Sequence, residues 1–420
     1  MIQLKSNSTE ARIDIFDFYA IHIISMQLNS GNIPMKRQDM LPSVMDYRER
    51  ARRRLPRLAF DYLEGAAEDG LTMARNRKAW AELLFAPRVL VDVAQCCLDT
   101  ELLGAAASMP AIVGPTGLNG LFWPDADIHL ARAAHTKGLP FVLSTASTSL
   151  LEDVRAATPG ELWLQLYVQR ERSIAEHLMQ RAVANGYTVL LLTVDVPVHG
   201  NRDHDKRNGF KLPLRPSMRL LLDVATHPHW CWQMLTCGSP QLKNLAVSSQ
   251  ARENLGTQAA ALSRDMDMGL TWDDMAWLRR QWPGRIVIKG IQSLSDAYRA
   301  RDCGADGIVL SNHGGRQLEG APSPVELLPQ VAQALGRQMD ILVDGGVRRG
   351  SDIAKARALG ARAVLLGRAP LYGLAAFGPK GAAQVLDILR TELQTTLRLL
   401  GCSDVNTLNY SFVRNQGMRS

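Results

Sequence analysis

The sequence predicts an α/β protein built as a (β/α)8 TIM barrel, with N-terminal capping helices and a long insertion after strand 4. Three observations carry this expectation. Eight short runs rich in leucine and β-branched residues recur along the chain, amphipathic segments of period near 3.6 separate most of them, and glycine stops several of those segments where a helix C-terminus belongs. Strands that are apolar throughout must be covered on both faces, which a ring of helices around a closed parallel sheet achieves.

In chain order, residues 1–40 read as an extension expected to lack order of its own. Their apolar stretch "IDIFDFYAIHIISM" is interrupted by Asp14 and Asp17 and is followed by no small-residue cleavage site, so it reads neither as a span nor as a signal peptide. The folded unit is expected over 41–420, where "YRERARRRLPRLAFDYLEGAAEDG" (47–70) reads as the capping helices. Strands are expected at 111–115, 141–145, 162–167, 188–195, 286–290, 307–312, 340–346 and 363–368. "DIHLARAAHTKG", "SIAEHLMQRAVANG", "SLSDAYRARDCG" and "SDIAKARALG" are helices between them. The insertion, at about 197–283, is far too long for a βα link and must hold extra structure or a mobile excursion. No internal repeat and no low-complexity linker is present.

Composition narrows the function classes. The charge of +7 favours anionic partners, but it is spread along the chain without an arginine-rich arm or aromatic ladder, so no nucleic acid is expected. No apolar run reaches the length of a membrane span. Six scattered cysteines lack metal-ligand or disulfide spacing, which fits a reducing cytosol and no metal.

Barrels of this type work at the C-terminal ends of their strands. Those ends carry Pro115, Thr116 and Gly117; Ser144; Gln165 with Tyr167; Thr193 with Asp195; Lys289; Ser311 with His313 and Arg316; Asp344, Gly345 and Gly346; and Gly367 with Arg368. A single strand-end Ser or Thr is an ordinary helix cap. Eight placements in phase point to one site.

"SNHGGRQL", together with "QLYV", "LTVDVP", "VIKG", "DGGVRRGSDI" and "LLGRAPLYG", resembles the FMN-dependent α-hydroxy-acid oxidising family, from about Leu41 to the C-terminus. "GPTGLNGLFWP" and "FVLSTAS" are most similar to its mandelate-oxidising bacterial branch. The resemblance implies FMN-dependent oxidation of an (S)-2-hydroxy acid to the 2-oxo acid. Such chemistry needs a base against the substrate and a cation on its carboxylate. His313 would be the base and Arg316 the bidentate fork. Asp195 would pair with the histidine, Tyr62 and Arg202 would join the carboxylate site, and Tyr167 would polarise the hydroxyl. Lys289 would stabilise the reduced ring, with Gln165 and Thr193 on the same edge. Ser144 and the Pro115-Thr116-Gly117 backbone would line the ring face. Ser311 and Asp344 would join the cofactor site, and Gly346, Arg348, Gly367 and Arg368 would hold the phosphate. No zinc cluster, Rossmann fingerprint or pyridoxal-type lysine competes.

Two departures bear on substrate and acceptor. Ala146 stands where glycolate-oxidising relatives carry tryptophan, freeing volume for a phenyl group, and Gly117 replaces an alanine common in oxidases. Both favour (S)-mandelate, oxidised to benzoylformate, over the alternatives of an L-lactate dehydrogenase or an oxidase making hydrogen peroxide from oxygen. Between Val196 and Arg252, eight Lys/Arg stand against three Asp, beside Leu220, Leu221, Leu222, Trp230 and Trp232. Segment 210–240 reads either as a membrane-interface anchor or as a lid packed on the barrel. The resemblance favours the anchor. It implies peripheral contact at the cytoplasmic face of the inner membrane, a membrane quinone as acceptor, and a homo-oligomer, expected to be a tetramer.

Overall fold

A computed structural model of the protein describes residues 40–203, 207, 218–238, 240–246 and 264–415. The expectation for the N-terminal extension lies outside the described residues. The chain separates into Met1–Leu41 and Pro42–Ser420, and the second unit is the barrel.

Eight parallel strands close on themselves: β1 (Ala111–Val113), β2 (Phe141–Ser144), β3 (Leu162–Leu166), β4 (Val189–Thr193), β5 (Arg285–Ile291), β6 (Gly307–Leu310), β7 (Asp340–Val343) and β8 (Ala363–Leu366). Closure is made by β8 against β1, Val364 opposite Ala111 and Leu366 opposite Val113. All eight lie where the sequence predicts them. Most end one to three residues early, because the polar residues after each apolar run turn out of the sheet to form the mouth.

Inside the barrel Ile112, Val142, Trp163, Leu191, Val287, Val309, Leu342 and Leu365 form one core. A short antiparallel hairpin outside the barrel, Thr100–Leu102 with Ala105–Ala107, adds Leu102 and Ala107 to it and closes the N-terminal end. Each large side chain in that core contributes about 1.5–3 kcal/mol of apolar burial. The stabilising burial is thus concentrated below the mouth, which leaves the mouth free for polar groups.

Among the described residues three helices precede the barrel: α1 (Val44–Arg54), α2 (Arg57–Glu64) and α3 (Leu71–Glu82). Ser43 caps α1 through Asp46, and Pro56 separates α1 from α2. α3 escapes the sequence reading because "LTMARNRKAWAE" is half polar and has no continuous apolar stripe. It buries only Thr72, Asn76, Ala79 and Trp80, and it uses them to cover the mouth at β6 and β7. The Asn76 and Asn312 amides exchange hydrogen bonds at 2.8 Å, and Trp80 Nε1 donates to Gly345 O at 2.8 Å. The second glycine of each pair, Gly315 and Gly346, has φ near +80°, and a Cβ there would lie within 2.6 Å of α3 backbone atoms of Met73 and Asn76.

The first crossovers are α4 (Ala126–Thr136), α5 (Leu151–Ala157) and α6 (Arg172–Ala184). After β4 the chain makes its excursion, whose described part holds α7 (Met218–Ala225), α8 (Pro228–Cys237) and α9 (Lys243–Ala246). Regular crossovers resume with α10 (Met275–Gln281), α11 (Leu294–Asp302), α12 (Pro324–Leu335), α13 (Gly350–Ala358) and α14 (Arg368–Leu400), the last kinked at Phe377–Gly378. α10 is the outer helix that joins β4 to β5, with Trp277 Nε1 donating to Glu176 of α6 at 2.7 Å. The insertion therefore ends before Met275, not near 283. α10 buries only Met275 and Leu278, too few for its period to register in the sequence.

Within segment 210–240 the two alternatives divide by face. Trp230 Nε1 donates to Leu121 O at 2.8 Å, Arg54 of α1 donates to Gln233 at 3.0 Å, and the Arg57 amide donates to Asp223 at 2.7 Å. That face packs on the capping helices α1 and α2 and on the loop after β1. Leu222, Trp232 and Leu235 are 65%, 50% and 80% exposed. Residues 210–217 and 239 lie outside the described residues.

Candidate active site

A cavity of about 450 Å3 opens at the C-terminal ends of the strands. It is lined by Tyr62, Pro115, Thr116, Gly117, Ser144, Gln165, Tyr167, Thr193, Arg202, Lys289, His313, Arg316, Asp344, Gly346, Arg348, Gly367 and Arg368. Asp195 and Ser311 stand one layer behind, each touching residues that line it.

His313 follows β6 in a left-handed backbone (φ 58°), its amide held by Ser311 Oγ at 3.0 Å. Its Nδ1 meets Asp195 Oδ1 at 3.0 Å. Burial, reinforced by Lys289 and Arg202, holds the imidazole below its ordinary range even though Asp195 pulls the other way. It is therefore neutral near pH 7 and able to accept a proton. Burial pushes the Asp195 carboxyl up, but His313 and Lys289 outweigh it, and the group stays ionised. Room for Asp195 comes from Gly290 at φ 112°, where β5 bulges: a Cβ there would lie 2.7 Å from that of Asp195.

Lys289 is opposite Thr193 in the sheet register. Its Nζ donates to Ser311 Oγ at 2.9 Å and pairs with Asp344 at 3.2 Å. Burial alone would lower its pKa, but Asp344 and Asp195 raise it overall, so the ammonium persists. Gln165 donates to Thr193 Oγ1 at 3.0 Å and accepts from Ser144 Oγ at 2.8 Å. Burial and Asp195 push the Tyr167 phenol up, so it remains a hydrogen donor.

Two guanidinia hang on the end of α2. Arg316 Nη1 and Arg368 Nη2 both donate to Gly65 O, at 2.9 and 2.7 Å. Arg316 also lies over the Tyr62 ring, 5.2 Å from its centre. Arg348 donates to Val347 O and to the Tyr372 hydroxyl.

Several residues were not legible in the sequence. His199 lines the cavity, and its pKa is held down to about 4 by desolvation and by Arg202, His313 and Arg316. Leu242, fully buried, and Phe122 add apolar wall. Asn244 of α9 seats Leu242 by donating to Ser149 O and accepting from the Leu151 amide, both at 3.0 Å. Buried Asp127 joins the loops after β1 and β2, accepting from Asn119 at 2.7 Å and Ser147 at 2.8 Å. No periodic signal marks these positions, which lie in loops or touch distant loops.

The cavity fits an elongated anionic cofactor with a polyol arm. Glycines and arginines gather at β7 and β8 beside the N-terminus of α14, an anion-binding arrangement. Asp344 Oδ1 is buried without a partner and would accept from a hydroxyl. Among the described residues no group of three or more His, Cys, Asp or Glu could hold a metal ion, and no helix is long and apolar enough to cross a membrane.

Residues 51–415 match the family profile described as FMN-dependent dehydrogenase. The chain is 48% identical to (S)-mandelate dehydrogenase of Pseudomonas putida over 90% of its own length and 94% of the relative's. It is 41% identical to L-lactate dehydrogenase of Caulobacter vibrioides, covering 91% and 100%. Among solved structures it resembles the monotopic membrane protein (S)-mandelate dehydrogenase, with 47% identity, a TM-score of 0.86 and coverage of 90% and 100%.

Proposed function

The chain belongs to the FMN-dependent dehydrogenase family, and from that premise we propose that it oxidises (S)-mandelate to benzoylformate and passes the electrons to a membrane quinone. It is an FMN-dependent 2-hydroxy-acid dehydrogenase; the acid and the acceptor are what we infer. One observation carries the choice of acid. The Cβ of Ala146 lies 2.9 Å from where a Cβ of Gly117 would sit, so neither residue extends a side chain beyond a methyl into the cavity. Leu118, Phe122 and Leu242 add apolar surface to the same cavity. A phenyl ring fits such a space; a methyl group leaves it unfilled.

Bound FMN would accept the two electrons and one of the two protons that the substrate loses. Pro115 to Gly117, Ser144, Gln165, Thr193 and Lys289 would hold its ring, Asp344 its polyol arm, and Gly346, Arg348, Gly367 and Arg368 its phosphate. In our reading Arg316, Tyr62 and Arg202 bind the substrate carboxylate, which orients the α-carbon. Tyr167 donates to the hydroxyl. His313 Nε2 takes the proton that leaves the substrate, and Asp195 stabilises the resulting imidazolium through Nδ1. Lys289 keeps a fixed positive charge where negative charge develops.

For the acceptor side, the exposed Leu222, Trp232 and Leu235 of α7 and α8 support an interfacial face beside the mouth, fitting a peripheral homo-oligomer on the cytoplasmic side of a membrane. Anaerobic bleaching of the flavin with a panel of (S)-2-hydroxy acids tests the reading. Fastest bleaching by mandelate is expected; preference for lactate or glycolate would overturn the aryl assignment. Stoichiometric peroxide formation under air would overturn the quinone.

A further inference from the structure

The C-terminal end of α2 carries the α-helix's usual deficit, carbonyls without amide partners, at the negative end of the helix dipole. Here two arginines fill it. Gly65 O accepts from both Arg316 (2.9 Å) and Arg368 (2.7 Å), and Leu63 O accepts from Arg368 at 3.1 Å, with Arg316 at 3.5 Å. Arg368 reaches Glu64 O at 3.4 Å as well, and ties back to the His313 loop through Gly314 O at 3.1 Å. Gly65 permits this approach, since a Cβ there would lie 3.3 Å from Arg316 Nη1. Three backbone carbonyls thus set the aim of one guanidinium read as binding the substrate and another read as binding the phosphate.

The turn is in turn held by one side chain. The Glu64 carboxylate accepts two hydrogen bonds from Arg48 of α1, at 3.0 and 2.8 Å, and one from the hydroxyl of Tyr372 on α14. That same hydroxyl accepts from Arg348 Nη2 at 3.2 Å. Burial would raise the Glu64 carboxyl, but Arg48 and Tyr372 hold it below its usual range, so it stays ionised as the clamp requires. None of these three side chains lines the cavity.

We propose that Glu64 is a positioning residue that couples the two anion sites: by pinning the Leu63–Gly65 turn between α1 and α14, it holds Arg316 on the substrate carboxylate and Arg368 and Arg348 on the cofactor phosphate together. This rests on the assignments of those arginines given above. Two closely spaced cations repel when no anion is bound, and a pinned carbonyl end keeps both aimed before either ligand arrives. Loosening the pin weakens both sites at once.

The test uses Glu64→Gln, which keeps the shape and removes the charge, and reads two quantities. FMN dissociation from holoenzyme on dilution is followed by flavin fluorescence. KM and kcat are measured at saturating FMN with whichever of (S)-mandelate and (S)-lactate bleaches the flavin faster. Glu64→Gln is expected to raise both the FMN Kd and KM about five- to tenfold, with kcat and the melting temperature of the loaded protein nearly unchanged. Tyr372→Phe, which removes the α14 half of the clamp together with the Arg348 contact, is expected to raise both quantities, the FMN Kd more than KM, and Glu64→Asp to restore part of both losses. Arg316→Lys and Arg368→Lys test the underlying assignments: the first is expected to raise KM, the second the FMN Kd. If these two behave so while Glu64→Gln moves neither quantity, or moves one alone, the coupling is wrong and the assignments stand. If the arginine variants fail, the assignments fall first. If Glu64→Gln does not fold, the Arg48→Gln variant, which removes the other half of the clamp, must give the same paired loss or the proposal is refuted.

Discussion

Replacing Asp195 with asparagine changes the site by one charge and almost no volume, so its effect on rate reports what that charge does. The carboxylate is nearly buried, at 3% exposure, and its Oδ1 meets His313 Nδ1 at 3.0 Å. Charge centres in such a pair lie about 4 Å apart, where unit charges interact by about 4 kcal/mol at an effective dielectric constant of about 20. The imidazolium exists only after His313 has taken the proton, so this attraction favours the transition state over the ground state. Its loss corresponds to roughly a thousandfold in rate at about 1.36 kcal/mol per decade. Asp195 does not line the cavity, and KM should change little. Stopped-flow reduction of the flavin under anaerobic conditions measures the step directly. The pH profile supplies a second, independent sign. Activity needs neutral His313, so kcat/KM falls as pH falls through a pKa depressed below the ordinary imidazole value of about 6.5. Asp195 is the partner that raises that pKa. The asparagine variant should therefore move the acid limb to lower pH while losing rate on the plateau. Flavin reduction within about tenfold of the parent, or an acid limb moving upward, would refute the assigned role.

His313→Gln should keep FMN bound, because no cofactor contact assigned above uses the imidazole, yet lose about 10²–10⁴-fold in flavin reduction; a near-parental rate in the same assay would remove His313 as the base. Gly290→Ala places a methyl 2.7 Å from the Cβ of Asp195 at φ 112°, and should cost about 1–2 kcal/mol of stability in urea unfolding together with most of the reduction rate. Full activity there would mean that Asp195 can shift without consequence. Ala146→Trp should lower kcat/KM for mandelate selectively, by about 1–3 kcal/mol of overpacking, while glycolate is spared; equal losses for both acids would count against the size argument. Sedimentation with anionic vesicles should carry the protein down. Leu222→Ser, Trp232→Ser and Leu235→Ser combined should release it with flavin reduction by substrate intact. Parent protein remaining in the supernatant would return α7 and α8 to the role of a lid.

The sequence by itself determined the barrel and the inventory of its mouth. Apolar runs at βα spacing dictate buried strands, and a polar residue just after such a run must emerge at the strand's C-terminal end, so Lys289, His313, Asp344 and Arg368 could be assigned to one rim without coordinates. That logic is local: it rests on burial period and turn chemistry over a few residues. Which rim residues touch is decided by the tertiary structure, because their separation along the chain carries no periodic signal. Asp195 meets His313 across 118 residues, Arg316 and Arg368 share a carbonyl some 250 and 300 residues away, and α3 reaches the β6 and β7 ends by only four buried side chains. The excursion shows the same limit. Its composition admitted both a lid and an anchor, and only its packing distinguishes Trp230, bonded to Leu121, from Trp232, half exposed two residues later. Closure of the barrel, through hydrogen bonds between its first and last strands, brings these distant segments to one cavity, and no window of sequence contains that closure.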